Sequence, residues 1–135
     1  MRTKIVRCVA ITAALAATAG SAWAGQRQTA RPFIFFNPDG SGVALGSIGD
    51  ARNSANPNEL LACTTQASRG TETFISCTVI DAAGTFLQVW SGKPVLVEAI
   101  NGAPSDAFLH FIFLPTGQLT DVIVTRGSQY APKLP

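Results

Sequence analysis

"ELLACTTQASRGTETFISCTVID", residues 59–81, decides the fold. Two runs, "ELLACTTQA" (59–67) with its leucines and threonines and "ETFISCTVID" (72–81) with threonine, isoleucine, valine and phenylalanine, flank the short connection "SRGT". Such runs favour strands, and so brief a link makes an antiparallel hairpin the simplest connection. Setting Cys63 opposite Cys77 fixes a register in which paired residue numbers add to 140, so Gln66 meets Phe74 and Gly70 centres the loop. Directly opposed residues of an antiparallel pair lie about 4.5–5.5 Å apart at Cα, within reach of a disulfide. Loop and cross-link therefore agree, and closing so short a loop is worth about 3 kcal/mol.

The chain continues in the same style. "DAAG" (81–84) turns it into "TFLQVW" (85–90), where Phe86, Gln88 and Trp90 share one face and Leu87 and Val89 the other. "DAFLHFIFL" (106–114) and "LTDVIVTR" (119–126) form two more strands joined through "PTGQ". The first of these is apolar on both faces, which predicts a central strand covered on both sides. Between "TFLQVW" and "DAFLHFIFL", "SGKPVLVEAIN" (91–101) is ambiguous. Pro94 suits the first position of a helix and Asn101-Gly102 its end, whereas two valines and an isoleucine favour a strand. The reading adopted is a short helix over 94–101. Upstream, "RPFIFF" (31–36) is a strand ended by the turn signal "NPDGSG", followed by a short strand at 43–48 and an irregular loop. The expected fold is mainly β: a small antiparallel β-sheet domain with one short α-helix.

The N-terminus has the layout of a cleaved signal peptide. Arg2, Lys4 and Arg7 precede the apolar run "CVAITAALAATA", and Ala22-Trp23-Ala24 offers small residues where a signal peptidase reads. A run of 12 residues falls short of the roughly 20 that span a bilayer. This divides the chain into a signal peptide (1–24), a flexible tail (25–30) and a single β-rich domain (31–135). No later segment is long and apolar enough to insert stably in a membrane. The expected location is the periplasm or the extracellular space.

Cleavage changes both charge and cysteine count. The formal charge of +2 includes three basic residues of the leader; beyond it stand seven basic and eight acidic residues, a net charge of −1. The remaining cations, Arg27 to Lys133, never cluster, so the basic patch that nucleic acid requires is missing. Cys8 leaves with the leader, and Cys63 and Cys77 remain as an even pair in an exported chain, which reads as a disulfide.

"ARNS" (51–54), a cysteine nine residues later, "C…DAAG" and a closing "S-x-Y-x-P-K" occur together between Val43 and Lys133. As a set they resemble small exported bacterial proteins of a family without an assigned activity. The resemblance implies the helix, rather than a strand, at 94–101. It also implies two further cysteines near 89–90 and 119, where this chain has Val89, Trp90 and Leu119. Apolar packing would then replace a second cross-link. The resemblance supplies no catalytic residue, cofactor or partner.

Catalytic chemistry finds few carriers. His110 is the single histidine, and it lies in "FLHFIF" among apolar neighbours, a setting for an internal histidine with one hydrogen-bond partner rather than for a base. Both remaining cysteines are better explained by pairing. Asp39, Asp81 and Asp106 lie in or beside turns, where carboxylates satisfy backbone donors. Asp50, Glu59 and Asp121 could converge as hydrolytic carboxylates, but no spacing argues for it. "NPDGSG" lacks the further acids of a calcium loop, and neither zinc ligands nor a phosphate loop is present, so no metal or cofactor is expected.

One polar triplet remains: Arg52, Asn53 and Ser54. It could grip a carboxylate, a sugar or a peptide end, or it could brace its own loop. Bracing is the reading adopted, with Arg52 bridging to Asp50, Glu59 or the C-terminal segment near Tyr130. On that reading, Arg52→Ala costs about 1.5–3 kcal/mol. The function expected is that of an exported non-catalytic module binding a protein or an envelope component. The alternatives are a small carboxylate hydrolase and a purely structural envelope protein.

Overall fold

The computed structural model describes residues 28–67, 72–127 and 129. The signal peptide, the "SRGT" loop with Gly70, and Tyr130 lie outside them.

Among the described residues seven strands form: β1 (Phe33–Phe36), β2 (Gly42–Gly46), β3 (Leu60–Gln66), β4 (Phe74–Ile80), β5 (Phe86–Ser91), β6 (Phe108–Phe113) and β7 (Leu119–Thr125). Two helices accompany them there, α1 (Ile48–Arg52) and α2 (Pro94–Asn101). The strands divide into two antiparallel sheets rather than one: a four-stranded sheet in the order β1-β2-β6-β7 and a three-stranded sheet β3-β4-β5. The division has a physical cause. Each sheet has one strongly apolar face, and burying both against each other removes more apolar surface from water than a single open sheet could.

In the three-stranded sheet the register is the expected one. Leu60 pairs with Ile80, Cys63 with Cys77 and Gln66 with Phe74. The cysteines are joined as a disulfide with Cα atoms 4.0 Å apart. Their side chains share the inner face with Ile75, Val79, Leu87 and Val89, all buried. The "DAAG" turn is closed by Asp81, whose carboxylate accepts from the N–H groups of Ala83 and Thr85.

Helix α2 spans the predicted residues, starting at Pro94 and ending before Gly102. It buries Leu96, Val97 and Ile100 in the same core as both sheets. Between the sheets, the Trp90 N–H donates to the Gly117 carbonyl at 3.0 Å, and Trp90 bridges to Gln118. Val89 and Leu119 flank this contact and are buried, whereas Trp90 is exposed.

Three expectations are corrected. The segment after β2 is not wholly irregular, because Ser47 caps a short helix there: its hydroxyl accepts from the Asp50 N–H at 3.0 Å. Asp50 in the first turn and Arg52 in the last complement the helix dipole. Nor are residues 28–30 a loose tail. Gln28 donates to the Gln129 carbonyl, the Ala30 carbonyl accepts from Ser47, and the Ala30 N–H donates to Asp50 Oδ2 at 2.7 Å. Finally, β6 is central but covered on one side only. Leu109, Phe111 and Phe113 are buried, whereas Phe108, His110 and Ile112 are half-buried on a face that no other described strand or helix covers.

Candidate functional site

The loop around the triplet is held from three sides. Residue Ser54 begins a tight turn in which its hydroxyl accepts from the Asn56 N–H at 3.1 Å. The Asn56 side chain in turn accepts from the Asn58 N–H and donates to the Ala82 carbonyl, tying the loop to the "DAAG" turn. At the loop's end Glu59 is buried against Arg31. Nε of Arg31 donates to Oε2 at 3.0 Å, and Nη2 lies 2.6 Å from Oε1 as an ion pair without an aligned hydrogen bond. The Glu59 side chain is fully buried and the Arg31 side chain half exposed.

Burial by itself would push the Glu59 carboxyl up. Hydrogen bonds from Arg31 and Ser54 and the charge of Arg31 outweigh it, against a small upward push from Asp81, and hold Glu59 below the ordinary carboxylate range. The Arg31 guanidinium is raised by the same partner, through the hydrogen bond first and the charge second. A carboxylate held ionised in this way is a poor proton donor near neutrality.

A cavity of about 480 Å³ opens beside these groups, lined by Thr29, Arg31, Asp50, Asn53, Ser54 and Ala55. The triplet therefore splits. Ser54 is a brace. Asn53 ends α1 through its backbone and exposes its side chain at the cavity. Arg52 is exposed, and among the described residues the expected bridge to Asp50 or Glu59 does not form; the third expected partner, the C-terminal segment near Tyr130, lies outside the described residues. The cation that does the bracing is Arg31. It was overlooked because it sits 28 residues from Glu59 in sequence, with only "R-P" before a strand to mark it.

The three carboxylates of the hydrolytic alternative do not meet. Asp50 and Glu59 border the cavity region and are committed to Ala30 and Arg31. Asp121 lies on the outer face of β7, at the sheet edge opposite β1. In "NPDGSG", Asp39 accepts from the backbone and hydroxyl of Ser41, hydrogen bonds that lower its pKa and mark an ordinary turn. Among the described residues no cluster of three or more His, Cys, Asp or Glu side chains could hold a metal.

A second feature is the outer face of the four-stranded sheet. Registers across all four strands define two rows: Phe33–Leu45–His110–Ile123 and Phe35–Val43–Ile112–Asp121. Phe33 and Phe35 are each 52% exposed and Ile123 49%. His110 sits within the first of these rows, half-buried, and its Nε2 is shielded from solvent without a hydrogen-bond partner. The apolarity of "FIFF" and "FLHFIF" is the available signal; in the second it predicts cover on both sides. No helix among the described residues is long and apolar enough to cross a membrane.

The chain matches no known family profile, no curated protein and no solved structure.

Proposed function

We propose that this chain is an exported, non-catalytic interaction domain of the periplasm or extracellular space. It engages a protein or an envelope component through the outer face of its four-stranded sheet. The observation that carries this reading is the pair of apolar rows. Seven of their eight positions are hydrophobic or imidazole, and of those seven Phe33, Phe35 and Ile123 are the most exposed. A contiguous apolar patch of this kind marks interaction surfaces on soluble domains. The leader-like N-terminus and the Cys63–Cys77 bridge support export into an oxidising compartment.

Export is tested by the N-terminal sequence and thiol content of the natural product. The expected result is a chain beginning at Gly25 with no thiol open to alkylation before reduction. A chain beginning at Met1 with two free thiols beyond Cys8 would defeat the reading. The surface is tested by partner capture from exported material, with wild type, Phe33→Ser/Phe35→Ser and Phe86→Ser compared. A specific partner should disappear with the double variant and persist with Phe86→Ser, which alters the other sheet. Equal recovery by all three would exclude this face.

A further inference from the structure

The occupant that best fits this face is a second copy of the same chain, and we propose that two copies pack the outer faces of their four-stranded sheets together. The inference rests on the reading of that face as the interaction surface and goes further by naming what covers it.

Chemistry is the first argument. Across the two rows the single charge is Asp121, at one end. A surface so nearly uncharged offers nothing to steer or reward a charged partner, whereas an identical apolar face is complementary to it by composition. The chain itself adds little repulsion, since residues 25–135 carry a net charge of −1. His110 does not oppose a dry contact either. Its Nε2 is already shielded and unpartnered, so covering it removes no hydrogen bond to water.

Area is the second argument. Aromatic side chains offer about 150–250 Å² each, so the exposed halves of Phe33, Phe35 and Ile123 present about 300 Å². Val43, Leu45, His110 and Ile112 are half-buried and bring the face to about 500 Å². Two such faces bury about 1,000 Å² together, which is where specific interfaces begin. The expected dimer is therefore a dissociable one.

Register supplies the third. A two-fold axis in the plane of the face and perpendicular to the strands lays β1 on β1. Phe33 of one copy then meets the partner's Phe35, and both Asp121 carboxylates stay at the opposite rim in water. Identical patches related in this way close on themselves and stop at two copies.

The test is sedimentation velocity on the chain as the cell processes it, from about 1 µM to about 500 µM, the range in which an interface of this size associates. A monomer-to-dimer shift with a micromolar midpoint is expected. Phe33→Ser/Phe35→Ser should raise that midpoint about tenfold or more. Ile123→Lys, on the other edge strand, should do the same if the double variant fails to fold. Asp121→Asn should lower it by removing a like-charge pair, and Phe86→Ser should leave it in place.

A monomer at the highest concentration overturns the proposal, as does a dimer that answers to Phe86→Ser and ignores both face variants. A monomer that still loses its captured partner with Phe33→Ser/Phe35→Ser overturns self-association alone. A monomer whose capture is indifferent to those changes removes the interaction surface as well.

Discussion

The outer faces of the two sheets are built on opposite plans. In the three-stranded sheet the rows read Leu60–Ile80–Phe86, Ala62–Thr78–Gln88 and Thr64–Ser76–Trp90, with Gln88 donating to the Ser76 hydroxyl across the strands. Hydroxyls and amides fill its middle, and the apolar residues stand at its ends. In the four-stranded sheet the middle is Leu45, Val43, His110 and Ile112. Connectivity differs in the same sense. The strands β3, β4 and β5 follow one another along the chain and carry a disulfide. The seam between β2 and β6 instead joins Val43 to Ile112, with the whole of the other sheet inserted between them. A stapled, local sheet can keep a wet outer face. The non-local sheet keeps apolar residues on both faces, and only one of those faces is covered by the described strands and helices.

Removing the staple is the most forceful way to test this contrast. Cys63→Ala/Cys77→Ala should lower the unfolding free energy by about 3 kcal/mol, because the closed loop is short and the cysteines lie on the buried face. Urea titration followed by tryptophan fluorescence measures it, through Trp90 on β5. A loss below about 0.5 kcal/mol would mean that local connectivity, rather than the cross-link, supports this sheet.

Acid probes the other strand entry, where Arg31 leads into β1 and Glu59 into β3. The folded pKa of Glu59 is depressed below its ordinary value of 4.5. Its contribution is therefore complete above that value and is lost as pH falls through the lower, folded one. Stability should stay level from neutrality to about pH 5 and decline below about pH 4.5. In Glu59→Gln the protein should be weaker at neutral pH, with a shallower acid slope. An unchanged slope in urea midpoints would place the acid sensitivity elsewhere.

Two glycines sharpen the comparison further, because each sheet closes a hairpin with one. Gly84, between β4 and β5, and Gly117, between β6 and β7, both have φ of 81°. An alanine pays the same backbone strain at either, about 1–2 kcal/mol. Their surroundings differ. A Cβ at Gly84 meets nothing within 4 Å, whereas one at Gly117 comes within 2.8 Å of the Gln88 carbonyl oxygen in the other sheet. Gly117→Ala should therefore destabilise more than Gly84→Ala, and the difference reports the contact between the sheets. Equal thermal midpoints would show that contact to be compliant.

How much of this was legible depended on how far apart the deciding residues lie. Where an element is specified by neighbours, the reading held. The Cys63–Cys77 register followed from two runs and a four-residue link, and the 94–101 helix from Pro94 and Gly102. Where two distant segments decide, the signal was absent. Nothing near Arg31 announces Glu59, and nothing near Ala30 announces Asp50. Helix α1 has a local signal, Ser47 three residues before Asp50, within a stretch that reads as a short strand and an irregular loop. The apolarity of "FLHFIF" predicts a central strand covered on both sides, and the strand is central with one face buried. Alternation along a strand says which residues share a face, not whether that face meets the same chain or another.

Arg52 gives the smallest expected effect and the sharpest distinction between brace and contact. Its guanidinium is exposed and has no partner among the described residues, while Arg31 occupies the Glu59 carboxylate. Arg52→Ala removes no buried hydrogen bond, so the loss of about 1.5–3 kcal/mol expected of a brace should not appear. The thermal midpoint should instead remain within the scatter of wild type, as for other surface substitutions. Its position in the last turn of α1 adds only a weak, salt-screened dipole term. Arg31→Ala in parallel should lower the midpoint clearly, since it leaves the Glu59 carboxylate buried without its counter-ion. If Arg52→Ala proved the more damaging of the two, the latch at the N-terminal side of the fold would have to be redrawn around α1 instead of the entry to β1.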